Sequence, residues 1–330
     1  MTPMAAEWLD GFGEWSWPGL KPAVELAPAA GCCGATFAIS RTVLAHPLPR
    51  AAIAVAPPSF AADLRKPFAV PRTAAADAGL PAPPLPEPVT ITTDAAGSRI
   101  ASITFYSAAL HRSDSFLVYL PPHYATATAR RYPVLYLLHG DQQQASSFLR
   151  LGVPATLDRL ISSHQIKPLI AVMLQGAGAP ADWRNFKDAG SYSYIGEAQR
   201  LADRVLRTIP TRSARGIAGY SMGGYGAMNV ALKQLHHYSL VESWEGDFVN
   251  LQDELSADRR LLRQLPLHAF VWGGASDTVV DSALNAPWAA AMRAAGADAQ
   301  SAVYPGAHAF APIERHLGAM LRFAARTLRS

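Results

Sequence analysis

The chain of 330 residues is half hydrophobic and only 16% charged, enough apolar material for a large buried core, which excludes wholesale disorder. Its net charge of +4 and pI near 9.1 are not gathered into a Lys/Arg block or a basic stripe with interleaved aromatics, so no nucleic-acid partner is expected. No run reaches the roughly 18 apolar residues of a membrane helix, and no transmembrane segment is expected.

The N-terminal quarter reads as an Ala/Pro-rich extension, residues 1–86, ending in Pro81-Ala82-Pro83-Pro84-Leu85-Pro86. Its two cysteines, Cys32 and Cys33, are sequence neighbours. Neighbours do not readily bridge, and no C-x-x-C pair offers a zinc or redox site. The segment before Gly31-Cys32 carries Glu25 and two prolines, and Met1 to Trp17 lacks a basic start, so no convincing signal peptide is read here.

From residue 87 to residue 330 the pattern becomes regular. Eight strands are expected: Arg99–Ser107, Ser115–Leu120, Pro133–Leu138, Pro168–Leu174, Ala214–Tyr220, Ser239–Trp244, His268–Gly273 and Ala299–Tyr304. The first two alternate, as an antiparallel edge pair does. The other six are near-continuous apolar runs, as strands covered on both faces must be. Helices are expected over Ser147–His164, Tyr194–Arg207, Gly223–Gln234, Asn285–Ala295 and Ile313–Leu328, with the polar stretch Glu245–Gln264 as a local cap. Strands alternating with helices imply a mostly parallel sheet with helices on both faces. Eight strands, antiparallel first, is the α/β-hydrolase arrangement.

Gly219-Tyr220-Ser221-Met222-Gly223 falls where a strand turns into a helix. A G-x-S-x-G there is a nucleophile elbow: the tight turn lifts the serine hydroxyl above the sheet, and the glycines let strand and helix approach. A serine hydroxyl needs a base, which needs an orienting acid. His308 follows the last strand in Pro305-Gly306-Ala307-His308, and Asp277 follows the strand before it, giving the chain order Ser221, Asp277, His308. Asp281 rivals Asp277 as the acid. The oxyanion hole is expected from two backbone N–H groups, those of Met222 and of Asp141 in the loop His139-Gly140-Asp141. Trp183 and Trp244 are candidate substrate-cleft residues. No H-E-x-x-H spacing suggests a metal, and Gly176-Ala177-Gly178 lacks the third glycine of a dinucleotide fingerprint.

These residues also resemble a family. Val118-Tyr119-Leu120-Pro121-Pro122, Tyr132 to Gly140, Gly219 to Ala227, Val241-Glu242-Ser243-Trp244 and Pro305 to His308 are similar to the esterase family that holds esterase D, feruloyl esterases and the antigen 85 mycolyltransferases. The resemblance covers about residues 95–328. It implies Ser221 as nucleophile, Asp277 as acid, His308 as base, a small-molecule or polymer-linked ester or thioester substrate and no cofactor. It also points towards a secreted or envelope location. Where members often carry Asp-Trp after the histidine, this chain has Ala309-Phe310. An acyltransferase using a sugar or lipid alcohol, and a non-catalytic binding module on the same fold, are the alternative readings.

Overall fold

The computed structural model describes residues 85–176, 183 and 190–329. Almost all of the expected extension, residues 1–86, therefore lies outside the described residues.

Nine strands form one sheet: β1 Val89–Thr93, β2 Arg99–Ser107, β3 Arg112–Leu120, β4 Val134–Leu138, β5 Ile170–Leu174, β6 Arg215–Tyr220, β7 Leu240–Trp244, β8 His268–Gly274 and β9 Asp298–Tyr304. Their order is β1-β2-β3-β5-β4-β6-β7-β8-β9. The pairs from β1 to β5 along that order are antiparallel, and every pair from β5 to β9 is parallel. This is the expected α/β-hydrolase fold with one strand more. The additional strand, β1, is Val-Thr-Ile-Thr-Thr, five β-branched residues of high strand propensity. All five are exposed, so no buried face imposes a pattern on it.

Strands β4 to β7 are buried at every position, which explains their mostly apolar sequences, Arg215, Glu242 and Ser243 being the polar exceptions. The edge strand β9 departs from that expectation: most of its side chains are exposed or half-buried. Side chains alternate between two cores. Val134, Tyr136 and Leu138 of β4 join the core under α3 Gly190–Val205, α4 Met222–Lys233 and α7 Asn285–Ala295. Leu135 and Leu137 join the core under α1 Ser147–Arg150, α2 Val153–Ser162 and α8 Phe310–Thr327. (Here α5 Gln252–Ala257 and α6 Arg259–Gln264 complete the helix count among the described residues.)

Two expectations are corrected. The helix expected over Ser147–His164 is two helices, because Gly152 adopts φ 78° between them and Pro154 opens α2. The segment read as a cap instead packs into the core: Phe248, Leu251, Leu255 and Leu262 are buried there, and Phe248 stacks on Trp288 of α7 at 5.3 Å.

One polar side chain sits deep in this packing. Glu242 of β7 is fully buried; its Oε2 accepts a bond from Trp244 Nε1 at 2.9 Å, and its Oε1 has no hydrogen-bond partner. Burial pushes its carboxyl up to about 8, with the Trp244 bond only partly opposing. Between its ordinary value of 4.5 and about 8, the folded chain holds a proton that the unfolded chain has released. Stability therefore falls as pH rises through that window. The expected result in thermal melts is a Tm lower at pH 8 than at pH 5. Glu242→Gln, which cannot ionise, shrinks that drop by at least about 2 °C; an unchanged drop refutes the assignment.

Candidate active site

The serine elbow is built by backbone contact. β6 ends at Tyr220, α4 begins at Met222, and Ser221 between them is held at φ 54°, ψ −121°. A side chain rarely adopts that conformation, and nearby contacts impose it here. The Ser221 N–H donates to the Trp244 carbonyl at 2.8 Å, and the Ser221 carbonyl accepts from the amides of Gly224 and Tyr225 at 2.8 and 3.1 Å. A Cβ at Gly219 would overlap the Gly223 carbonyl, and one at Gly223 would overlap the Leu138 carbonyl.

The loops after β8 and β9 meet beside this elbow. The amides of Ala275 and Ser276 donate to the carbonyls of Tyr304 and Gly306 at 2.7 and 2.9 Å, tying one loop to the other. His308 is thereby brought between Asp277 and Ser221. Its Nδ1 lies 2.8 Å from Asp277 Oδ2, and its Nε2 lies 2.9 Å from Ser221 Oγ. A neutral ring protonated on Nδ1 donates to the carboxylate and accepts from the hydroxyl. Asp277 Oδ1 accepts from the amides of Val279 and Val280 at 2.8 and 2.9 Å. Burial works to raise the Asp277 pKa, but the bonds from His308 and these amides outweigh it and hold the carboxyl below its usual range. The rival Asp281 is spent elsewhere: its Oδ1 accepts from the Ala283 amide at 3.0 Å, capping the short turn Ser282–Leu284.

Met222 is the first residue of α4, where helix geometry leaves an amide without an intrahelical acceptor. Asp141 stands in the turn after β4, which is closed by the Gln143 amide on the Gly140 carbonyl at 3.2 Å. The neighbouring His139 is buried, with both ring nitrogens 2.8 Å from carbonyl oxygens, those of Gly140 and Gln175. It holds the loop's shape. The two tryptophans read as cleft-lining are corrected: both are fully buried. Trp183 packs edge-on to His139, and Trp244 packs edge-on to Phe148, so their aromatic area is used in packing and offers no surface to a ligand.

Three neighbours of His308 escape sequence reasoning. Tyr220 stacks on the imidazole at 5.3 Å, and Phe310 meets Tyr220 edge-on at 5.3 Å. Tyr220 lies inside the elbow motif and Phe310 follows His308 by two residues, but nothing in their spacing shows contact. The third is Glu245, directly after β7. Its Oε2 lies 3.5 Å from His308 Nδ1, and its side chain has no exposed surface. Its one signal is a charged residue following an apolar strand. Among the described residues, Glu245, Asp277 and His308 are also the group whose atoms could share a metal ion, lying within 4.8 Å of one another. The two ring nitrogens of His308 are already engaged by Asp277 and Ser221.

A family model described as "Putative esterase" matches residues 107–303, more than half of the chain. The chain belongs to that esterase family. The chain is 33% identical over 156 residues to esterase Rv1288 of Mycobacterium tuberculosis, 43% of this chain and 31% of that protein. It is 31% identical over 146 residues to an endo-1,4-beta-xylanase/feruloyl esterase of Xylanibacter ruminicola, 41% of this chain and 20% of that protein. The chain thus spans about a third or less of the length of these curated relatives. Among solved structures it is similar to a ferulic acid esterase, with TM-score 0.63 and 24% identity over 70% of this chain and 98% of that one. An S-formylglutathione hydrolase from Agrobacterium tumefaciens gives TM-score 0.56 and 20% identity, covering 73% and 100%. These two likenesses show the shared fold.

The elbow at Ser221 can be tested through its glycines. Gly223→Ala sets a Cβ against the backbone of Leu138, which no rotamer change relieves. Little soluble, correctly folded protein is the expected yield. Gly97→Ala serves as control: its φ is 81°, but its Cβ would meet nothing within 4 Å. It is expected to fold with a cost of about 1 kcal/mol. Circular dichroism and thermal melting compare the two, and a Gly223→Ala protein as stable as Gly97→Ala contradicts the contact argument.

Proposed function

We propose that this esterase hydrolyses carboxylic esters by acyl transfer through Ser221, with His308 as general base and Asp277 as the acid that orients it. The observation that carries this reading is the continuous pair of bonds Ser221 Oγ–His308 Nε2 and His308 Nδ1–Asp277 Oδ2, at 2.9 and 2.8 Å. It is supported by the strained elbow under Ser221 and by the amide bonds that hold Asp277 ionised.

His308 Nε2 takes the Ser221 proton as the oxygen attacks the ester carbonyl. The imidazolium that forms is stabilised by Asp277, and the stacked Tyr220 ring presents its π-face to the cation. The tetrahedral oxyanion is received by the amides of Met222 and Asp141. Collapse expels the alcohol with the proton from His308 and leaves an acyl-enzyme, which water hydrolyses by the same steps in reverse. The names of the feruloyl esterase relatives suggest an aryl acyl group on a larger alcohol. A panel of p-nitrophenyl esters of increasing acyl length, with a feruloyl ester included, reads the acyl preference directly.

The serine and the acid are tested together. A fluorophosphonate probe labels the wild type, and Ser221→Ala is expected to lose both labelling and turnover. Asp277→Asn is expected to lower kcat by orders of magnitude, because an asparagine favours the wrong imidazole tautomer. Asp281→Asn, at a residue bonded only to its own turn among the contacts described, is expected to cost at most a few-fold. A reversed order of the two aspartate variants would move the acid to Asp281.

The second oxyanion donor is tested at Asp141. Asp141→Asn keeps the shape and the amide, and kcat for a small ester is expected within a few-fold of wild type. Asp141→Pro deletes the N–H and is expected to cost on the order of a hundredfold. Circular dichroism first establishes that the proline variant is folded. Full activity in that folded variant assigns the donor to another amide of residues 140–145.

A further inference from the structure

Two carboxyl groups flank His308, and the mechanism above uses one. Glu245 leaves the end of β7 at φ 52°, a left-handed conformation that a glutamate rarely takes. Its own N–H is fixed on the Trp272 carbonyl at 2.8 Å. Its Oε2 reaches within 3.5 Å of the same ring nitrogen that Asp277 contacts. Both Glu245 oxygens are sealed from solvent, and neither makes a hydrogen bond of normal geometry. A carboxyl so buried costs desolvation, which the nearby Ala309 amide offsets only in part, and its backbone is strained as well. Packing alone gives no return for either cost, whereas the adjacent imidazole does.

We propose that Glu245 is a reserve acid for His308, the carboxyl that orients and stabilises the imidazole when Asp277 does not. This rests on the reading of Ser221, His308 and Asp277 as the catalytic residues, and within it Glu245 is a positioning residue acting through His308.

The electrostatics explain why it stands aside in the intact protein. Burial pushes its carboxyl up to about 9, and repulsion from Asp277 adds to that, while the nearby Ala309 amide pulls the other way. The titratable groups that face it are Asp277 from the loop after β8, His308 from the loop after β9 and the Tyr220 phenol at the end of β6. At neutral pH Glu245 therefore keeps its proton while Asp277 is ionised. Removing the Asp277 charge removes the second of the two causes. Its proton is then released to water more readily, and the imidazolium of the transition state favours the carboxylate left behind. Closing the gap from 3.5 Å to a hydrogen bond of about 3.0 Å takes a small side-chain movement. Nδ1–H then donates to Glu245 in place of Asp277. Alanine at position 277 permits that turn of the bond, whereas asparagine fills the space and competes for Nδ1.

The test measures kcat/KM for p-nitrophenyl acetate, as a function of pH, in the wild type, Asp277→Ala, Glu245→Gln, the double variant and Ser221→Ala. Glu245→Gln copies the neutral acid and is expected to cost at most a few-fold in the wild-type background. In the Asp277→Ala background the same change is expected to cost a further tenfold or more. Asp277→Ala is also expected to retain more activity than Asp277→Asn, with a pH profile that changes when Glu245 is removed. Such non-additivity is the mark of one group substituting for another. Equal factors in both backgrounds, or an Asp277→Ala variant as dead as Ser221→Ala, overturn the proposal. A purely structural Glu245 gives equal factors together with a lowered Tm. If Ser221→Ala itself turns over at the wild-type rate, the underlying reading of the centre fails, a separate result. Should the double variant not fold, Asp277→Ala with Glu245→Asp makes the same comparison, since it keeps the carboxyl but shortens its reach.

Discussion

The constraint on which the centre depends is the backbone contact at the crossing of β4, β6 and α4. Gly219 and Gly223 bring α4 so near the Leu138 carbonyl that no Cβ fits between them. That proximity makes the turn at Ser221 tight, and the tight turn imposes φ 54° on the serine. The next strand is drawn into the same knot. Trp244 gives its carbonyl to the Ser221 amide, and a Cβ at Gly224 or Gly246 would strike the Ser243 hydroxyl. The serine is positioned by main chain on three sides, so its placement does not rely on any single side-chain rotamer.

The polar half of the centre is organised by a different force. His308 stands on a loop that is anchored to the Asp277 loop by two backbone bonds, so the two side chains arrive as one unit. Around them the surroundings divide two carboxyls by environment. Asp277 receives two amides and the imidazole and stays charged, whereas Glu245 receives burial and the repulsion of Asp277 and stays neutral. Tyr220 covers the imidazole with its aromatic face, and Phe310 packs in turn on Tyr220. The departure from the family pattern at Ala309-Phe310 thus falls in the aromatic packing next to His308.

How much of this was legible in the sequence follows from what each signal depends on. Buried strands such as β4 and β5 announce themselves because burial on both faces demands unbroken apolar residues. The elbow is legible because its glycines answer a local steric need. Asp277 against Asp281 is not, since both are loop aspartates in one turn and only the tertiary fold decides which meets His308. The tryptophans mislead for a related reason: a large aromatic side chain serves a core and a cleft equally well, and here the core takes both. Glu245 is invisible because its significance lies in a loop 63 residues away in the chain, a distance no periodicity reports. The split of the first long helix, by contrast, was readable from Gly152 and Pro154.

The exposed ribbon β1 has a consequence for how the molecule breathes. It has a single neighbour, β2, and a register shift between Thr90 and Thr92 interrupts even that pairing. Because none of its five side chains is buried, detaching it uncovers no core of its own. Its amides can therefore trade their protons with solvent through a local opening that leaves the rest of the sheet closed. Those of β4 and β6, locked between two parallel partners or beside the elbow, exchange only when the whole domain comes apart. One continuous sheet thus holds two regimes of motion, a fast fringe and a slow centre, and the elbow at Ser221 stands at the end of a strand of the slow one.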